Sequence, residues 1–288
     1  MAEKLAIAAI THIYPEARKH AGAFVQARVD LYRRMGHAVD VFPPGTHVDD
    51  PAKYDVAVTH YPLPGHEIDE SKRCLEKSVP VVAYIHGAEG ISVGIKDLHP
   101  YRMRTRRELR EFLPECGAIV VASRWMRSEV RKYLGMESVV IPNPVDDVLF
   151  RLAEPKTTKG VCLRGSGRKY GTDVLRKALE QHVPESIEVD ILEPHFARSE
   201  LPALLQNYAY FVAPSRMEGQ GLMACEAMAT GMPLVTTRVG AIPEFVKEDE
   251  GVFIEKLNPR GVAEALSRIS KIVPVSEEKR RFLRERIL

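Results

Sequence analysis

The second half of the chain contains a glycine-rich turn and a helix that carry two glutamates. The turn follows an apolar stretch and holds Glu218, Gly219 and Gly221, and Glu226 lies in the helix that begins there. Glycines let a ligand approach the backbone, and a helix amino terminus offers unpaired N–H groups to a phosphate. Carboxylates accept hydrogen bonds from hydroxyl groups. The pattern predicts a site for a ligand with phosphate and vicinal hydroxyls, such as a nucleotide sugar; the alternative is an ordinary turn with two solvated glutamates.

A second glycine-rich turn, residues 164–171, follows the first strand of the second half. It contains Arg164, Arg168 and Lys169 among three glycines. Backbone N–H groups of such a turn converge on an anion, and basic side chains neutralise a diphosphate without a metal ion. We therefore predict that Arg168 and Lys169 act as a pair, with Arg164 as a further candidate. A solvated basic turn is the alternative.

Three histidines stand at the ends of predicted strands in the first half. His86 closes the apolar stretch 79–85, and His12 and His60 follow two other strands. A histidine at a strand end often has a structural role. His86 is nevertheless a candidate catalytic residue, and His12 and His60 are candidates for lining an acceptor site.

These motifs lie within a regular alternation of short apolar stretches and helical patterns. Strands of this kind, separated by helices, predict βαβ units and parallel sheets that are covered on both faces. The fold class is therefore α/β, with two Rossmann-like parallel-sheet domains facing a cleft. We place the domain boundary in the turn-rich segment after residue 141, which divides the chain into residues 1–145 and 146–288. Ligands of open α/β sheets bind at the carboxyl ends of the strands.

Composition narrows the class of protein. The 288 residues are 45% hydrophobic and 28% charged, which is typical of a folded globular protein, and no apolar run approaches the length of a membrane span. A formal net charge of +2 gives no argument for a nucleic-acid partner. The four cysteines lack metal-ligand spacing and are expected to be reduced. With no secretory signal pattern at the amino terminus, we predict a cytoplasmic protein.

An arginine-rich segment, residues 102–110, allows two interpretations. It contains five arginines and one glutamate. A solvated helix face explains such a run, whereas a peripheral contact with a membrane surface or a polyanionic acceptor would also use it. Both interpretations remain open at this point.

The run from 213 to 235 resembles the Glu-x7-Glu signature of the retaining GT-B glycosyltransferases, the group 1 type. Further along, Gly231-x-Pro-x-Val and Gly240-Ala-Ile-Pro-Glu244 resemble the continuation of that signature. The segment 141–146, Ile-Pro-Asn-Pro-Val-Asp, is similar to the interdomain hinge of the group, except that Pro144 replaces a glycine. Gly22, at the opening of a helix, resembles a glycine loop that faces the donor phosphates.

The resemblance implies a donor site and a reaction. Glu218 would contact hydroxyls of the donor sugar, Glu226 the ribose, and the backbone of Gly219, Gly221 and Leu222 the phosphate and sugar. Gly22, Arg168 and Lys169 would bind the diphosphate, and His86 would lie near the reacting sugar. The implied activity is transfer of a hexose-type sugar from a nucleoside diphosphate to an unidentified acceptor, with retention and without a metal or other cofactor. A sugar-nucleotide epimerase and a sugar-nucleotide-binding relative that has lost transfer are the alternatives.

Overall fold

The computed structural model describes residues 3–14, 22–87, 100–163, 168–193, 196–248 and 250–288. The chain divides into two compact units, Met1–Pro144 and Val145–Leu288. The division falls between residues 144 and 145, in the turn-rich segment where the sequence analysis placed a boundary. Each unit contains its own parallel sheet with helices packed against it.

The N-terminal unit is built on a six-stranded parallel sheet in the order β2-β1-β3-β4-β5-β6. Its strands are β1 (Ala6–Thr11), β2 (Ala38–Phe42), β3 (Val56–His60), β4 (Val81–Ile85), β5 (Ala118–Val121) and β6 (Val139–Val140). Its helices are α1 (Ala23–Arg34), α2 (His66–Glu76), α3 (Pro100–Phe112) and α4 (Arg124–Leu134). Gly22 precedes α1 in the left-handed region, and the Ser123 hydroxyl caps α4.

The C-terminal unit is built on a five-stranded parallel sheet in the order β11-β10-β9-β7-β8. Its strands are β7 (Gly160–Leu163), β8 (Val189–Leu192), β9 (Tyr210–Ala213), β10 (Leu234–Thr236) and β11 (Gly251–Phe253). Its helices are α5 (Thr172–Gln181), α6 (Leu201–Leu205), α7 (Leu222–Ala229), α8 (Ile242–Phe245), α9 (Pro259–Ile269) and α10 (Glu277–Glu285).

The two sheets share one strand order. In each, the first strand lies between the second and the third, and the remaining strands follow on the far side of the third. Connections that leave the first and third strands therefore run to opposite sides of the sheet. Such a switch point is where ligands of open parallel sheets bind, at the carboxyl ends of the strands. In the C-terminal unit it lies between β7 and β9, and in the N-terminal unit between β1 and β3.

Buried strand residues of the C-terminal sheet alternate between its two faces, as strand geometry requires. Phe211, Leu234 and Phe253 pack in one apolar layer with α7, while Val212 and Val235 pack in the opposite layer. Because both faces are covered, the strands are apolar almost throughout. This core fixes where each strand ends, and so fixes where the loops that carry Glu218 and Lys169 begin.

The sequence analysis predicted most of these elements and missed several short ones. It predicts a strand at 160–163 and a helix at 172–181 from their apolar spacing, and these are the bounds of β7 and α5. It predicts a charged last helix at 276–288, where α10 is shorter and begins after the capping Ser276. It did not predict α4, α6, α8 or β11. Three of these contain no more than five residues, and short segments carry little periodic signal.

All four cysteines are free, and Cys74, Cys162 and Cys225 are buried, in agreement with the expectation of reduced thiols. Within the described residues, none of the helices combines the length and the apolar character that crossing a membrane requires.

Candidate functional site

The loop between β9 and α7, residues 214–221, carries Glu218 at the switch point of the C-terminal sheet. Ser215 donates a hydrogen bond from Oγ to Glu218 Oε1 at 2.7 Å. Thr237, after β10, in turn donates from Oγ1 to the Ser215 carbonyl at 2.6 Å. Ser215 and Thr237 are buried. The Glu218 carboxylate is therefore held from one side by a chain of hydrogen bonds rooted in the sheet.

Two glycines let neighbouring backbone segments approach this loop very closely. A Cβ at Gly171 would stand 1.8 Å from the Pro214 carbonyl oxygen, and one at Gly240 would stand 1.6 Å from the Glu218 carbonyl oxygen. Both glycines have positive φ, +66° and +56°. Any side chain at either position would collide with the backbone. The Glu218 loop thus lies against the start of α5 and the segment before α8.

The basic turn after β7 lies beside the same loop. Arg168–Tyr170 forms a single tight turn, and the Arg216 backbone N–H donates to the Lys169 carbonyl at 2.6 Å. The Lys169 ammonium lies 4.7 Å from the centre of the Tyr170 ring. The side chain of Arg168 and all of Arg164 lie outside the described residues. Lys169 and Glu218 therefore lie on adjacent loops at one sheet edge.

Helices α5 and α7 both begin at this edge with a left-handed glycine. Gly171 precedes α5 and Gly221, with φ +80°, precedes α7, and neither helix has a side-chain hydrogen-bond cap. By contrast, Asn258 caps α9 and Ser276 caps α10 through side-chain oxygens. The first N–H groups of a helix need an acceptor from elsewhere when no side chain caps them. An anion at this edge would supply it.

Glu226 lies on α7, one turn beyond Leu222, and its side chain is buried. The neighbouring Cys225 thiol is buried as well, and burial, followed by the charge of Glu226, raises the pKa of Cys225. The thiol is therefore protonated at neutral pH and is no nucleophile. Glu226 is the acidic residue of α7, and it lies five residues after Gly221.

In the N-terminal unit, His86 belongs to a buried hydrogen-bonded chain. His86 Nδ1 lies 2.9 Å from Asn143 Oδ1, and His86 Nε2 lies 2.9 Å from His60 Nδ1. With Asn143 Oδ1 as acceptor, His86 donates from Nδ1 and accepts at Nε2, so His60 donates from Nδ1. His60 Nε2 is buried and has no hydrogen-bond partner among the described residues.

Burial keeps these two imidazoles neutral. Desolvation, with a further contribution from the Arg28 charge, lowers the pKa of His60 to about 3. Desolvation also lowers the pKa of His86 well below its usual value, and His60 and Arg28 lower it further. Both ring nitrogens of His86 are engaged inside the unit. Its assignment as a catalytic residue stays a prediction.

The segment that leaves the N-terminal unit is held by three buried side chains at three consecutive residues. Tyr84 donates its hydroxyl to the Ile141 carbonyl, Arg28 donates from Nη2 to the Pro142 carbonyl at 3.0 Å, and His86 bonds Asn143. Arg28 also lies 4.3 Å from the centre of the Tyr84 ring. The predicted hinge segment is thus anchored on its N-terminal side.

The structure brings six of the predicted site residues to one edge of the C-terminal sheet, namely Lys169, Glu218, Gly219, Gly221, Leu222 and Glu226. The backbone of Arg168 lies in the same turn as Lys169. Gly22 and His86 lie in the N-terminal unit, where Gly22 has φ +86° and its Cβ would stand 2.5 Å from the Ile13 carbonyl oxygen. Gly22 therefore begins α1 in the way that Gly171 and Gly221 begin their helices.

Sequence reasoning did not single out Ser215, Asp173 or Arg216. Arg216 forms two hydrogen bonds to the Asp173 carboxylate, of 2.8 and 2.9 Å. The two residues are 43 positions apart, so no local pattern connects them. The one local signal in the sequence was the acidic Asp173 in the first turn of a helix, directly after the glycine-rich turn.

The arginine-rich segment forms α3. Arg106 lies 4.9 Å from the centre of the Tyr133 ring, and Arg110 donates to the Tyr133 carbonyl at 2.7 Å. The described part of the segment packs against α4, and a membrane-surface contact finds no support there.

Two family models match this chain. Residues 147–271 match Glycosyl transferases group 1, and residues 47–149 match Glycosyltransferase Family 4. An uncharacterized glycosyltransferase of Methanocaldococcus jannaschii is 22% identical over 278 residues, which are 88% of this chain and 75% of that protein. Curated relatives of higher identity match shorter stretches, and those stretches make up at most 32% of each relative's own length.

Solved structures show the same fold. A sucrose-phosphate synthase from Thermosynechococcus elongatus aligns over 98% of this chain and 94% of its own, with a TM-score of 0.81 and 15% identity. Anabaena HepE, solved with UDP and glucose, aligns over 98% and 94%, with a TM-score of 0.68 and 13% identity. The fold class predicted from the sequence is confirmed. Both matched family models describe glycosyltransferases, and the solved structures share the two-sheet α/β fold.

Proposed function

We propose that this chain is a retaining glycosyltransferase that moves a hexose-type sugar from a nucleoside diphosphate to a hydroxyl group of an acceptor, without a metal ion. The observation that carries the proposal is the C-terminal sheet edge. There, Glu218, the basic turn with Lys169 and two uncapped helix starts meet at the switch point between β7 and β9. A ligand with a diphosphate and several hydroxyls matches this combination of groups.

The roles follow from the chemistry of each group. The N–H groups at the start of α7 and the cations of Arg168 and Lys169 would bind the diphosphate, on which negative charge builds as the sugar departs. Glu218, oriented by Ser215, would accept hydrogen bonds from the sugar hydroxyls. Glu226 would accept those of the ribose. The resemblance to the Glu-x7-Glu group supports these assignments, and the UDP and glucose bound to HepE are ligands of this type.

Retention rests on the resemblance, and metal independence rests on the resemblance and on the basic turn. The two cations of that turn would supply the charge that a metal ion supplies in other sites. Loss of the diphosphate as a leaving group would therefore be assisted by this chain's own side chains.

A donor screen tests the site. Wild-type protein is heated with UDP-, GDP- and ADP-sugars, and Glu226→Gln is compared with Glu264→Gln, which removes an exposed carboxylate from α9. A donor at 100 times its dissociation constant stabilises by about 2.7 kcal/mol, so the melting temperature rises measurably. We expect one nucleotide class to stabilise wild-type protein and Glu264→Gln, and Glu226→Gln to lose most of that response. No stabilisation by any donor would overturn the assignment.

Stereochemistry and metal dependence are tested with water as acceptor. Slow hydrolysis of an α-linked donor is followed by proton NMR before the released sugar mutarotates. Release of the α-anomer supports retention, and release of the β-anomer contradicts it. An unchanged hydrolysis rate in excess chelator supports metal independence, and loss of activity that Mg²⁺ or Mn²⁺ restores contradicts it.

A further inference from the structure

Arg216 connects both sides of the basic turn to the loop that carries Glu218. Its backbone N–H donates to the Lys169 carbonyl at 2.6 Å, before Gly171. Its guanidinium forms the paired hydrogen bonds to Asp173, after Gly171. Arg216 itself lies two residues before Glu218. Arg216 thus contacts the neighbouring segment both before and after Gly171, the glycine that lies against the Glu218 loop.

The guanidinium contact is directional. Arg216 Nη1 donates to Asp173 Oδ1 and Nη2 donates to Oδ2, a parallel pairing that fixes relative orientation as well as distance. The hydrogen bonds from Arg216 lower the pKa of Asp173, and the bonds to Asp173 raise the pKa of Arg216. The pair is therefore fully ionised at neutral pH.

Backbone contacts also join the two loops at this junction, namely the Arg216–Lys169 hydrogen bond and the close approach of Gly171 to Pro214. Gly171 has no Cβ, so the close approach to the Pro214 carbonyl brings no side-chain packing of its own.

We propose that Arg216 and Asp173 are positioning residues that hold the diphosphate-binding turn in register with the Glu218 loop. This inference rests on the proposed function, since the register matters only where one donor contacts both loops. Neither residue is assigned a contact with the donor. The pair acts by fixing the Lys169 turn and the Glu218 carboxylate relative to each other before the donor binds, which removes an ordering cost from binding.

Two measurements on the full chain test the inference. The first is the calorimetric affinity for UDP, GDP and ADP of wild-type protein, Arg216→Gln, Asp173→Asn and the charge exchange Arg216→Asp with Asp173→Arg. The second is hydrogen exchange in the peptide that covers residues 168–173. Arg281→Gln is the control, because it breaks an exposed Arg–Glu pair on α10 of the same unit.

We expect Arg216→Gln and Asp173→Asn each to weaken nucleotide binding roughly tenfold, within the coupling range of residues that share one network. Both variants should speed amide hydrogen exchange at 168–173. The double variant with exchanged charges should recover part of the affinity and part of the protection. The control should change neither quantity. The inference is overturned when the two single variants match the control in both measurements, or when the exchanged pair is no better than the singles.

The failure of this inference differs from the failure of the proposed function. If wild-type protein binds none of the three nucleotides, the proposed donor site is contradicted, and so is the role of the Arg216–Asp173 pair in donor binding. The hydrogen-exchange measurement needs no ligand, so it still decides whether the Arg216–Asp173 pair holds the turn at 168–173.

Discussion

The carboxyl edges of the two sheets have the same topology but carry different side chains. At the N-terminal edge, His60, His86 and Tyr84 stack face to face, with ring centres 4.3 to 5.8 Å apart, and bond one another or the chain near residue 143. At the C-terminal edge, Lys169 and Glu218 are charged side chains on loops, beside helix starts without side-chain caps. The first edge is lined by neutral, buried rings, and the second carries charged side chains on its loops.

One strand order therefore carries two different sets of side chains. A switch point places loops and helix starts at the carboxyl edge in both units. In the N-terminal unit, buried side chains at that edge hydrogen-bond the segment leading out of the unit. In the C-terminal unit, glycines with positive φ and half-buried charged side chains form the candidate donor site. The predictions below test the two edges separately, beginning with the largest expected effect.

Gly240→Ala should have the largest effect, because it inserts a Cβ 1.6 Å from the Glu218 carbonyl oxygen. The Glu218 loop must move, and we expect a loss of about 3 kcal/mol or more together with loss of donor binding. Thermal unfolding followed by circular dichroism measures the first, and donor-induced stabilisation measures the second.

Gly135→Ala is the matched control for that variant. Gly135 also has positive φ, +74°, but a Cβ there would have nothing within 4 Å. Strain in the left-handed region alone costs about 1 kcal/mol. Equal losses in the two variants would show that the close approach to Glu218 is unimportant.

Acidification should weaken the N-terminal edge first. The pKa of His60 is about 3 in the folded protein, whereas an unfolded histidine titrates near 6.5. Below about pH 6.5 this histidine binds a proton in the unfolded chain but not in the folded chain. The free energy of unfolding therefore falls as the pH drops toward 3. His86 adds to the slope in the same direction.

The single tryptophan, Trp125, lies on α4, so its fluorescence follows unfolding of the N-terminal unit. Denaturant titrations at several pH values should show a shallower decline for His60→Gln than for wild-type protein, by at most about 1.4 kcal/mol per pH unit. Identical slopes would mean that His60 titrates normally in the folded protein.

Asn143→Ala should have a smaller effect. It removes the partner of His86 Nδ1 and leaves a buried donor unsatisfied, which costs about 1 to 2 kcal/mol. Trp125 fluorescence during denaturation measures the loss. Asn207→Ala is the control, since the Asn207 side chain is exposed and donates a long hydrogen bond, of 3.4 Å, to the Ala203 carbonyl. A loss no larger than the control's would show that the histidine chain does not hold the hinge segment.

Much of the donor-side candidate site was visible in the sequence because its signals are local. Glu218, Gly221 and Glu226 lie within one turn and the helix that follows it, and their spacing resembles a family signature. Lys169 lies in a glycine-rich turn directly after a strand. Each of these features depends on residues no more than a few positions away, and local chemistry fixes turns and helix starts.

Contacts between distant segments were not visible. The Arg216–Asp173 pair spans 43 residues, and the His86–Asn143 bond spans 57. No periodicity or motif connects such positions, since their meeting depends on which strands become neighbours. The sequence marked His86 as a strand-end histidine, but it did not indicate that both ring nitrogens are engaged.

The sequence by itself determined the α/β class, the order of most strands and helices, and the turn that carries Glu218, because hydrophobic periodicity and glycine spacing act over short distances. Only the tertiary structure decided that β7 and β9 become neighbours, and with them the loops of Lys169 and Glu218. It also decided that the imidazoles of the N-terminal edge are buried and neutral. Strand pairing and burial depend on the packing of the whole unit, and that packing has no local signature.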